Sequence, residues 1–191
     1  MTSKRIKALL GLYALILLSA FVNGCCKGEY RLTGFEYVSA SVSVTEPDST
    51  VVVSDVTKVS GEFMITAFLQ LQLASTNTMS LMNSSYAFSC ELPTINPIVN
   101  SSVVISMDRS FILNGDSIEA NTNLLVLENS GIIQDDIMRG YPIDRGPIDF
   151  YFSELFFTNS ILENGEYTFT ISALTEEGAK FESDIELEFE L

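Results

Sequence analysis

The chain has 191 residues, with 10 basic against 25 acidic side chains, a formal charge of −15, and neither histidine nor tryptophan. Such acidity repels phosphate backbones and anionic headgroups, which excludes nucleic acid as a partner. The missing histidine removes Ser-His-Asp and Cys-His arrangements and the commonest transition-metal ligand, leaving carboxylate chemistry or oxygen-ligated cations.

Residues 1–26 have the three-part layout of a secretory signal. Lys4, Arg5 and Lys7 form a basic head, residues 8–22 an almost wholly apolar run, and Val22, Asn23 and Gly24 lead into Cys25 and Cys26. The apolar run is short for a bilayer span. A cysteine directly after Val-x-Gly resembles the lipobox of bacterial lipoproteins, which implies cleavage before Cys25 and acylation of that residue. The alternative is ordinary secretion with an unmodified Cys25, since Asn23 stands where the lipobox usually has Ala, Ser or Thr. Residues 1–24 are thus an address, 25–35 a lipid-anchor tether, and 36–191 a single domain long enough to bury its own core. The signal holds three of the ten basic residues and none of the acidic ones, so 7 basic against 25 acidic residues remain, a formal charge of −18. The acids are spread along the chain, which fits solubility; attraction to cations or a basic partner is the sharper reading.

Three cysteines are present. With Cys25 acylated, Cys26 and Cys90 remain, and an oxidising envelope favours joining them. The alternative is a Cys90 buried as a small apolar residue.

Period-two alternation begins after the tether. Over residues 36–44, Val38, Ala40, Val42 and Val44 alternate with Ser39, Ser41 and Ser43, which predicts a half-buried strand. Pro47 and its neighbours break it, and residues 50–54 form a short second strand. From Glu62, the set Phe63, Ile65, Ala67, Leu69, Leu71 and Leu73 opposes Thr66, Gln70 and Gln72, predicting the longest strand of the first half. Residues 74–85 read as a polar loop or short capped helix, and 86–91 as a strand. Val103, Ile105 and Met107 alternate with Val104 and Ser106, and Asn114-Gly115 suits a tight hairpin turn. Residues 123–127 and 155–162 fit strand or helix equally. Residues 139–147 read as a loop, and Ile148, Phe150 and Phe152 resume the alternation.

The last hairpin is the clearest. Tyr167, Phe169, Ile171 and Ala173 alternate with threonine and serine, Glu177-Gly178 supplies a turn, and Ile185, Leu187, Phe189 and Leu191 face away from Glu186, Glu188 and Glu190. The glutamate row reads as a solvated sheet face that resists edge-to-edge aggregation. Roughly seven to nine short strands without a long amphipathic helix predict an all-β chain, an antiparallel two-sheet β-sandwich of the immunoglobulin-like kind.

The lipobox-like start, the 86–90 segment Tyr-Ala-Phe-Ser-Cys, the 118–124 stretch and the closing residues 165–171 through 178–181 together resemble uncharacterised lipoproteins of Bacteroidota. The resemblance implies an envelope-anchored β-sandwich and carries no catalytic residues and no cofactor. Surface-exported members typically bear several acids after the lipidated cysteine. Here Lys27-Gly28-Glu29 supplies one base and one acid, which points to the periplasmic face of the outer membrane. Asp48-Ser49-Thr50 and Asp116-Ser117-Ile118 resemble the sites where these bacteria attach O-glycans, so Ser49 and Ser117 are candidate acceptors; ordinary turn serines are the alternative.

Other patterns carry less. Asn83-Ser-Ser and Asn100-Ser-Ser fit the N-glycosylation acceptor but suit polar loops equally. Asp135, Asp136, Asp144 and Asp149 are oxygen donors of the kind calcium takes, without the Asp-x-Asp-x-Asp-Gly loop. Arg139, Tyr141 and Arg145 make residues 139–147 the candidate ligand loop, because guanidinium groups suit planar anions and stack on rings. The competing reading pairs each arginine with Asp136 or Asp144.

Three function classes follow. The first is a non-enzymatic envelope lipoprotein with a binding or structural role, attached to the membrane by its N-terminal lipid, with a protein or glycan partner. The second is a carbohydrate-binding or adhesin-like module, although no tryptophan supplies a stacking platform. The third is a two-carboxylate enzyme such as a glycosidase, which needs a pair about 5 to 9 Å apart.

Overall fold

Successive side chains of a strand point to opposite faces, so alternating apolar and polar residues bury one face and solvate the other. That rule organises most of this chain. The structure is a computed structural model that describes Tyr13 and residues 29–46, 49–74, 94–134, 143 and 146–191. The chain divides into two units, residues 1–31 with 72–95, and residues 32–71 with 96–191.

In the first unit, Tyr30 and Arg31 of β1 (Glu29–Glu46) pair in parallel with Thr94 and Ile95 of β5 (Thr94–Ile95). The predicted strand over 86–91 lies outside the described residues.

The second unit holds the sandwich. One sheet runs β2 (Ser49–Ser54), β1, β4 (Phe63–Ala74), β10 (Ile148–Phe152), β9 (Ile132–Ile133). The other runs β3 (Lys58–Val59), β13 (Lys180–Phe189), β12 (Gly165–Leu174), β6 (Val104–Met107). β1 with β2, β10 with β4 and β9, and β12 with β13 and β6 pair antiparallel, and β3 meets β13 in a two-residue parallel contact. The chain is therefore an all-β antiparallel sandwich, as its period-two pattern predicts.

Phenylalanines join the two layers. Phe63 of β4 stacks on Phe152 of β10 at 4.4 Å between ring centroids and meets Phe169 and Phe189 of the other sheet edge-on at 6.0 and 5.8 Å. All four rings are buried. Each contributes roughly 1.5–3 kcal/mol by leaving water, and edge-to-face geometry adds to that.

A third, small sheet was not foreseen. It consists of β11 (Ser160–Ile161), β7 (Phe111–Leu113) and β8 (Asp116–Ile118) in that order. Asn114 and Gly115, with φ of 54° and 91°, close the turn between β7 and β8, as their residue types predict. The two ambiguous stretches also resolve. Residues 124–126 form a 3-10 turn whose Leu125 N–H donates to the Asn123 side chain at 3.1 Å. Residues 155–162 split between a helix, Glu154–Asn159, and β11.

One boundary is corrected. β1 begins at Glu29, so residues 29–35 of the expected tether are strand. Leu32 is buried there, Phe35 packs against the core, and Thr33 Oγ1 donates to Gln70 of β4 at 3.2 Å. Gly34 interrupts the apolar alternation, which hides the strand from a period-two reading.

The glutamates of β13 face outward, and Glu182 and Glu188 each have a cation, Lys180 and Lys58. Lys58 Nζ lies 2.8 Å from Glu188 Oε2 and 2.6 Å from Glu190 Oε1, which ties β3 to the end of β13. Among the described residues no helix is long and apolar enough to cross a membrane.

Candidate functional site

The predicted site residues fall in different places. Cys25, Cys26, Cys90, Arg139, Tyr141 and Arg145 lie outside the described residues, as do Asp135, Asp136 and Asp144. Within the candidate loop Ile143 is described; it is buried and bridges to Ile98. Ser49 opens β2, its backbone opposite Glu46. Asp149 sits on β10 opposite Thr66, whose Oγ1 donates to its Oδ1 at 2.7 Å, so it serves a cross-strand pair. Among the described residues no three His, Cys, Asp or Glu side chains gather as a metal site.

Ser117 is the exception, because it lines a cleft. The cleft measures about 580 Å³ and its walls include Asp108, Arg109, Ser117, Ile161, Glu163 and Tyr167. Its geometry follows from strand pairing. Ile161 of β11 lies opposite Ile112 of β7, and Ile112 lies opposite Ser117 of β8. Residues directly opposite one another project from the same sheet face. The three therefore form one row across the small sheet, while Phe111 and Leu113 point into the core. Ile161 keeps 66% of its surface exposed and Ile112 37%.

Arg109 stands over the other wall. The chain leaves β6 at Met107, and Asp108 clamps it to β12: its N–H donates to Thr168 O at 3.0 Å and its Oδ1 accepts from Thr168 N–H at 2.9 Å. Arg109 then places its guanidinium 5.0 Å above the Tyr167 ring. That ring is itself fixed. Tyr167 is 3% exposed, its hydroxyl donates to Glu163 O at 2.8 Å, and it accepts from Glu163 N–H at 3.0 Å. Gly165 leaves room for the guanidinium, since a Cβ there would come within 3.3 Å of an Arg109 terminal nitrogen.

The second cleft, about 500 Å³, is lined by Glu62, Glu154 and Phe157 among others. Glu62 accepts a hydrogen bond from Tyr151 and another from Glu154 N–H, and these two hold its carboxyl below the ordinary glutamate range. A carboxylate so engaged is an acceptor that caps the helix, not a proton donor.

Arg109 and Tyr167 were missed by sequence reasoning. An arginine between two strands has no periodicity to mark it, and Tyr167 counts as a core position. The available signal was a lone cation in the acidic 94–134 stretch, followed by a tyrosine on a buried strand face. Compared with known proteins, the chain matches no family model and no curated sequence.

Proposed function

We propose that this protein is a non-enzymatic lipoprotein of the cell envelope, akin to those of Bacteroidota, held by an acyl group on Cys25 at the periplasmic face of the outer membrane. The observation that carries this reading is the run from Lys4, Arg5 and Lys7 through the short apolar core to Val22-Asn23-Gly24-Cys25. A sandwich whose aromatic side chains fill the space between its sheets suits a rigid scaffold that presents loops and edges to a partner. The absence of histidine from the whole sequence supports a binding or structural role over catalysis.

Metabolic labelling with a fatty-acid analogue tests the anchor. Labelling of the wild-type chain, lost in Cys25→Ala, is the expected result. A wild-type chain that stays unlabelled and soluble overturns the reading.

A carbohydrate-binding role is the second reading, favoured by the polar cleft beside Arg109.

A further inference from the structure

We propose that the Arg109 cleft is a binding site for an acidic sugar, a uronic acid residue within an oligosaccharide; this rests on the carbohydrate-binding reading above.

The described cations differ in what they face. Lys58 is paired with Glu188 and Glu190, and Lys180 with Glu182. Arg109 has a ring beneath it and, among the described residues, no carboxylate within ion-pair distance. In a chain of charge −15 with Asp108 beside it, that arrangement is built. Asp108 is occupied by the Thr168 backbone, and Tyr167 is locked by Glu163 at both its donor and its acceptor. The guanidinium is therefore supported over the ring, and among the described residues no carboxylate pairs with its N–H groups. A planar fork held in this way matches a carboxylate, which it binds with two parallel hydrogen bonds.

The remaining walls select what carries that carboxylate. The Ile112 and Ile161 row offers an aliphatic surface for the C–H face of a pyranose ring, and Ser117 ends the same row with a hydroxyl. Glu163 is exposed at the rim and supplies carboxylate oxygens as acceptors for sugar hydroxyls. Acceptors and a hydroxyl beside an apolar row fit a polyhydroxylated ligand better than a purely apolar acid. The volume of about 580 Å³ is in the range of small-ligand sites and holds one or two sugar rings.

The test uses the full-length chain in detergent, titrated with tri- and tetrasaccharides of galacturonic or glucuronic acid and with neutral galactose or glucose oligomers of equal length. The expected result is at least a tenfold preference for the acidic series, weakening as salt rises. Arg109→Ala should lose at least tenfold in affinity for the acidic series, and Arg109→Lys, which keeps the charge without the fork, should lose severalfold. Circular dichroism checks that each variant folds; should the Arg109 variants not fold, Ile161→Ala, which trims the aliphatic wall of the same cleft, is expected to weaken binding of the acidic series, and unchanged binding by folded Ile161→Ala overturns the proposal. Equal binding of acidic and neutral oligomers, unchanged affinity in folded Arg109→Ala, or no binding of either series overturns the proposal. So does capture of a peptide C-terminal carboxylate with no uronate binding. None of these outcomes bears on acylation of Cys25, which the labelling experiment reads separately.

Discussion

Glu62 Oε1 accepts the backbone N–H of Glu154 at 2.9 Å, so the residue just before β4 caps a helix 92 positions later in the chain. The local candidate for that task, Ser153, is spent elsewhere: its hydroxyl donates to Gly131 O at 2.8 Å. A six-residue helix cannot sustain itself by propensity. Its start is held by groups from two distant segments.

That cap makes a pH-dependent contribution with a defined sign. Glu62 is held below its ordinary pKa by Tyr151 first and Glu154 N–H second, and the same bond from Glu62 raises Tyr151. A lowered carboxyl stabilises the fold above its unfolded pKa and loses that contribution as pH falls through the folded value; a raised phenol stabilises below its unfolded pKa and loses it as pH rises. Both effects are present between about pH 4.5 and 10. Glu62→Gln, which can still accept both hydrogen bonds, should lower Tm at pH 7, and the difference should shrink as pH falls through the lowered carboxyl value of the folded state. A Tm difference that stays constant through that fall contradicts the assignment.

Gly131, on the other side of the same contact, has no room to change. Its φ is 73°, and a Cβ would fall 2.3 Å from Phe156 N and 2.9 Å from Leu155 C, both backbone atoms. Gly178 has a similar φ of 83° and open space around it. Gly178→Ala should therefore cost about 1 kcal/mol from the left-handed backbone alone. Gly131→Ala adds the displacement of a helix and should cost at least about 3 kcal/mol. Urea unfolding of the two variants gives the comparison, and equal losses would show that the helix yields freely.

Phe63 concentrates the contacts between the layers. It is 1% exposed and touches Phe152, Phe157, Phe169 and Phe189. Phe63→Ala should destabilise by about 3–5 kcal/mol, the range for a large buried aromatic whose space cannot collapse. Val52→Ala on β2, where the side chain is 59% exposed, should stay within about 0.5 kcal/mol. Calorimetry that finds the two alike removes Phe63 from the centre of the core.

The parts of the fold legible in the sequence are those where one rule acts alone. β12 was legible because Tyr167, Phe169, Ile171 and Ala173 all face a core and nothing interrupts them. β10 was legible for the same reason. Where a second constraint intervenes, the signal fails. Gly34 broke the pattern of β1, and the helix Glu154–Asn159 buries Phe156 alone, too little to show a helical period. The Arg109 cleft was illegible because it is assembled by pairing. Ile161, Ile112 and Ser117 are separated in sequence and become one row only through the register of three short strands. The sequence marks Ser117 by its own triplet alone, with no indication of its neighbours.

We propose that Cys26 and Cys90 are linked. Both cysteines lie outside the described residues, but Tyr30 faces Thr94 in parallel register. Cys26 precedes Tyr30 by four residues and Cys90 precedes Thr94 by four, an equal sequence offset from a parallel pair. On the proposed lipoprotein reading the compartment is oxidising and favours the bond, and closing so long a loop contributes about 4 kcal/mol in the chain-entropy picture. Peptide mapping without reductant should recover the cross-linked pair, and dithiothreitol should lower Tm in wild type but not in Cys90→Ala. Free thiols at both positions in protein taken from the envelope exclude the bond, and a Cys25 to Cys90 link in its place excludes thioether acylation at Cys25.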